Sequence, residues 1–89
     1  MKMKASVSPN PFTSHLSLEV SVDGKESVIV SMLDHEQSIV RMFSWPLQAG
    51  KNKVSFNDVN SLGPGEYSVT VTNQGGKNLF ATRVIKNPG

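Results

Sequence analysis

Leu16-Ser17-Leu18-Glu19-Val20-Ser21-Val22 decides the fold class. Leu16, Leu18, Val20 and Val22 recur at every second position, with Ser17, Glu19 and Ser21 between them. Successive side chains of a strand point to opposite faces, so this pattern predicts a strand with one face in a core and the other toward water. Asp23-Gly24 closes the strand with a turn signal.

The same logic extends in both directions. Ser27–Leu33 carries Val28, Val30 and Met32 on one face and Ile29 and Leu33 on the other, which predicts a more central strand. The polar tetrad Asp34-His35-Glu36-Gln37 turns the chain into a strand over Ser38–Trp45, and Pro46 is expected to end it for want of an N–H. Gly50 opens Lys51–Asn57, with Val54 and Phe56 inward. Asp58–Leu62 reads as a short helical turn. Glu66–Thr72 alternates strictly, with Tyr67, Val69 and Val71 inward.

Asn73-Gln74-Gly75-Gly76-Lys77 is a hairpin turn into a last strand, Leu79–Lys86. The inward face of that strand stays open between Phe80/Val84 and Leu79/Ala81/Ile85. With a short strand near Lys4–Ser8, the pattern predicts an all-β, immunoglobulin-like antiparallel sandwich of about seven strands. Phe12, Phe43, Phe56, Tyr67 and Phe80 are expected inside, with Trp45 partly exposed beside Pro46.

Eighty-nine residues make one domain with a thin core. Zero cysteines exclude a disulfide framework and a thiolate metal site. The net charge of +2 is small and the lysines are scattered, which argues against a nucleic-acid partner. No apolar run is long enough for a transmembrane segment. Met1-Lys2-Met3-Lys4 has the charge of a signal-peptide start but is followed by no apolar region. Residues 1–4 are therefore expected to be an expression or linker remnant, residues 5–86 the domain, and residues 87–89 a short tail.

Chemistry-bearing clusters are few. Asp34-His35-Glu36 invites a metal reading, but three successive residues splay apart where ligands must converge. Ser14-His15 resembles a nucleophile with its base, yet neighbouring strand residues face opposite ways and no oxyanion-hole motif accompanies them. Trp45 with Phe43 is thin support for a carbohydrate platform. No enzyme activity, metal or cofactor is expected.

Two segments have clear mechanical roles. In Pro9-Asn10-Pro11-Phe12 the prolines fix φ and remove donors, Asn10 can bond nearby backbone, and Phe12 can plug the core. The segment is expected to be a stiff entry into the first sheet. Leu62-Gly63-Pro64-Gly65-Glu66-Tyr67 reads as a tyrosine corner, its hydroxyl bonding backbone a few residues upstream.

Taken together, Pro9, Asn10, Pro11 and Phe12, then Asp34, Gly50 with Lys51-Asn52, Leu62, Gly65 and Tyr67, and finally Lys86 resemble the C-terminal sorting domain of the type IX (Por) secretion system. The likeness runs from Ala5 to Lys86. It departs at Gln37, where the family has glycine, so the turn after Asp34 is expected to differ or to be strained less. Asn87-Pro88-Gly89 runs past the family's usual end.

The resemblance implies a non-catalytic secretion signal of Bacteroidetes-type bacteria. An upstream cargo crosses the inner membrane and is passed outward by the outer-membrane type IX translocon. A surface sortase-like protease then removes the domain, leaving the cargo secreted or on the cell surface. The final strand and the Asn73–Lys77 hairpin are the expected docking surfaces. The alternative is an immunoglobulin- or fibronectin-like accessory module that binds carbohydrate or protein.

Overall fold

The computed structural model describes residues 3–88, so the expectations for Met1, Lys2 and Gly89 lie outside the described residues. Seven strands and one turn of 3-10 helix follow in order: β1 (Met3–Ser8), β2 (Ser17–Val22), β3 (Glu26–Leu33), β4 (Ile39–Leu47), β5 (Gly50–Ser55), the turn Val59–Ser61, β6 (Gly65–Asn73) and β7 (Asn78–Lys86). They form an antiparallel sheet ordered β1-β2-β5 and another ordered β4-β3-β6-β7. β1 begins at Met3, inside the stretch expected to precede the domain.

The alternation in β2 does what its sequence demands. Leu16, Leu18 and Val20 are fully buried, and with Val28, Val30, Met32, Val69, Val71 and Val84 they make the layer between the sheets. β3 and β6 are central strands of their sheet, which accounts for the apolar residues on both faces of β3.

Two expectations change, and one question left open is settled. Pro46 does not end β4, which continues to the buried Leu47 and pairs Pro46 with Ser27. β4 is an edge strand, where a missing N–H costs no ladder bond if that position faces outward. Phe43 and Phe80 are only half-buried, because both sit on edge strands that the opposite sheet covers incompletely. β7 turns Phe80, Thr82, Val84 and Lys86 inward and leaves Ala81 and Ile85 exposed. Trp45 is half-buried and packs against the core.

The two hairpins of the larger sheet share one design. In β3–β4, Asp34 N donates to Ser38 O (2.9 Å) and Gln37 N to Asp34 O (3.0 Å). In β6–β7, Asn73 N donates to Lys77 O (2.9 Å) and Gly76 N to Asn73 O (3.0 Å). The fourth residue of each turn is left-handed: Gln37 at φ 67° and Gly76 at φ 88°. The Asp34 turn with Gln37 therefore has the form of the Asn73 turn with Gly76. Gln37 takes the conformation that a glycine would take, and it bears the steric cost of a Cβ there.

Candidate functional site

The two segments singled out above meet Lys86 at one end of the larger sheet. The expected stiff entry into the first sheet is instead a connection within it: Pro9-Asn10-Pro11-Phe12 follows β1, lies along the outer edge of β7 in the other sheet, and leads back to β2. Phe12 forms a parallel bridge to Lys86: Phe12 N donates to Ile85 O, and Asn87 N donates to Phe12 O, both at 2.8 Å.

Asn10 extends the seam with its side chain. Its Oδ1 accepts from Ile85 N at 3.0 Å, and its Nδ2 donates to Arg83 O at 3.2 Å. One carboxamide thus serves an edge strand as a neighbouring peptide group would. The expectation that Asn10 bonds nearby backbone is corrected. Its partners lie in the last strand, because the flanking prolines offer no donors and the exposed edge of β7 has both donors and acceptors.

Phe12 fills the core beneath this seam, fully buried and edge-on to Tyr67 with ring centroids 6.2 Å apart. Tyr67 is buried and donates its hydroxyl to Gly63 O at 2.7 Å, which is the expected tyrosine corner. Leu62 packs partly buried against the core at the start of this corner. Gly65, at φ 138° where a side chain would be strained, starts β6 directly opposite Lys86.

Lys86 is the one buried charged residue among those described, 4% exposed. Its position on β7 turns it inward, and its Nζ donates to Asn87 O at 2.9 Å. The tail residue Asn87 is thereby tied to the domain twice, through its amide to Phe12 and through its carbonyl to Lys86.

The remaining motif positions sit elsewhere. Asp34 follows β3, which lies two strands from β7, and its Oδ1 accepts from Glu36 N (2.9 Å) and Ser38 N (3.0 Å). That carboxylate is committed to its own turn, with His35 and Glu36 exposed beside it. Gly50 begins β5 at the end of β2 marked by Val22, in the other sheet. Ser14 and His15 lie in the loop before β2, not in a strand, with Ser14 Oγ 3.4 Å from His15 Nδ1 and both residues exposed.

Arg41, which sequence reasoning missed, and Asn52, marked there only through the family pattern, organise the opposite seam. Asn52 Oδ1 accepts from Gln48 N, and its Nδ2 reaches the carbonyls of Gln48, Gly50 and Val20. It therefore fixes the crossing from one sheet to the other. An asparagine two residues after a turn glycine was the available signal. Arg41 donates Nε to Asn57 O and Nη2 to Asp58 O, both at 2.7 Å, and Nη1 to Val40 O at 2.6 Å. Nothing local in the sequence marks Arg41, because its partners follow β5.

The family model for the secretion system C-terminal sorting domain matches residues 6–87. The chain belongs to that family. The match spans all seven strands except the first residues of β1, so it takes in the strap along β7, the tyrosine corner and Lys86 together. No curated protein matches the chain. Among solved structures, this sorting domain is similar to part of a β-glucosidase from Listeria innocua. The structure with isofagomine gives a TM-score of 0.54 at 20% identity, covering 98% of this chain and 16% of that one. The structure with glucose gives 0.51 at 18%, with the same coverage. At such identity the likeness concerns the sandwich fold alone. No helix among the described residues is long and apolar enough to cross a membrane.

Proposed function

We propose that this domain is a non-catalytic secretion signal that directs an upstream cargo through the outer membrane by the type IX system of a Bacteroidetes-type bacterium. The observation that carries the reading is the family match over residues 6–87, which coincides with one folded unit. A sorting label must present a fixed shape, and among the described residues no group of metal-ligating side chains is gathered for chemistry.

The partners in this reading are the outer-membrane translocon and, at the surface, a sortase-like protease that removes the domain. The cargo ends up secreted or at the cell surface. Pro9, Asn10, Pro11, Phe12, Leu62, Gly65, Tyr67 and Lys86 act as a unit that shapes the recognised corner. Asp34 and Gly50 act at a distance by setting a hairpin and the start of β5. The uncovered part of β7 and the Asn73–Lys77 hairpin are the docking surfaces.

The test is a fluorescent reporter fused upstream of residues 5–89 in a bacterium that has this machinery. Export of the reporter supports the reading. Retention in the periplasm rejects it.

A further inference from the structure

The strap on β7 has a use that a sorting role does not require. β7 is an edge strand, and the edge of a sheet is a template on which another chain can add a strand. In an antiparallel ladder, alternate residues turn both backbone groups away from the paired neighbour. Ile85 is such a residue, since its N–H goes to Asn10 and its C=O to Phe12. By the same alternation the outward groups of β7 belong to Ala81, Arg83 and Ile85. The strap takes Arg83 O, Ile85 N and Ile85 O, and it also holds Asn87 N just beyond the strand.

The covering segment is itself a poor template. Pro9 and Pro11 have no N–H to offer, so a further chain meets no continuous row of donors on its outer side. Ile85 is a large apolar side chain left 49% exposed beside this edge, the sort of residue that favours pairing between copies. We propose that Pro9–Phe12 is an edge guard, which closes the C-terminal half of β7 against strand addition by a second copy of this chain.

Amide exchange and sedimentation of the domain and of Asn10→Ala test this. Asn10 is exposed, so the substitution removes two hydrogen bonds while leaving buried Phe12 in place. In the variant, the Ile85 amide should exchange about tenfold faster while those of Val69 and Val71 keep their rates. The variant should also self-associate at a concentration where the unaltered domain is monomeric. The proposal is overturned by an unchanged Ile85 rate, by equal acceleration at all three amides, or by a variant that stays monomeric with Ile85 unprotected. Self-association of the unaltered domain through β7 overturns it too. None of these readouts involves export, so this proposal and the sorting role can fail separately.

Discussion

Asn10 and Ile85, 75 positions apart, are joined by a 3.0 Å hydrogen bond from the Ile85 amide to the Asn10 side-chain oxygen. The bond links the connection between the first two strands to the last strand, so it forms only once β7 is in place. Phe12 and Lys86 close the same junction from below. A label built this way presents its corner only as a folded whole, which suits a signal that is recognised by shape.

Tyr67→Phe tests the corner chemically. The ring stays in place against Phe12, and only the 2.7 Å bond to Gly63 O is lost. Its loss should cost about 1 kcal/mol, read as a lower urea midpoint with an unchanged slope. An unchanged midpoint would mean that the hydroxyl adds nothing.

The paired hairpins make opposite predictions from one geometry. Gln37→Gly relieves a left-handed residue that has a side chain and should stabilise by about 0.5–1 kcal/mol after the entropy cost of glycine. Gly76→Gln places a side chain at φ 88° and should destabilise by about 1 kcal/mol. Thermal melts of both variants check the signs, and shifts in the same direction would contradict the shared design.

Much of this fold was legible because the strands are half-buried and the period is two. β2 and β6 place their residues as the alternation requires. The errors cluster at edges. Whether Pro46 may stay inside a strand depends on what lies beside it, and that neighbour is absent from the local sequence. β7 was ambiguous because Phe80/Val84 and Leu79/Ile85 are equally apolar, and the deciding factor is packing over the core. Tyr67 could be assigned because its partner is four residues away, whereas the partners of Asn10 could not be guessed. The family resemblance marked Pro9–Phe12 and Lys86 as motif positions, but that they pair was not legible, because the contact joins the two ends of the fold.

Arg41 is a tie at the seam opposite the strap. Its three donors reach three backbone carbonyls, two of them following β5, in the other sheet. Arg41→Ala should cost about 1–3 kcal/mol, since charged donors are lost and the carbonyls return to water. Arg41→Lys should recover little, because one ammonium cannot span the positions that the planar guanidinium reaches. Chemical denaturation distinguishes these outcomes, and a lysine variant as stable as the parent would show that charge alone suffices.

The most direct measurement is the distribution of a fused reporter between periplasm and medium or cell surface in a bacterium with type IX machinery. The intact domain should move the reporter outside. The same fusion lacking β7 should leave it in the periplasm, since both the corner and the edge at Ala81 are gone. Equal distribution of the two fusions would contradict the sorting role.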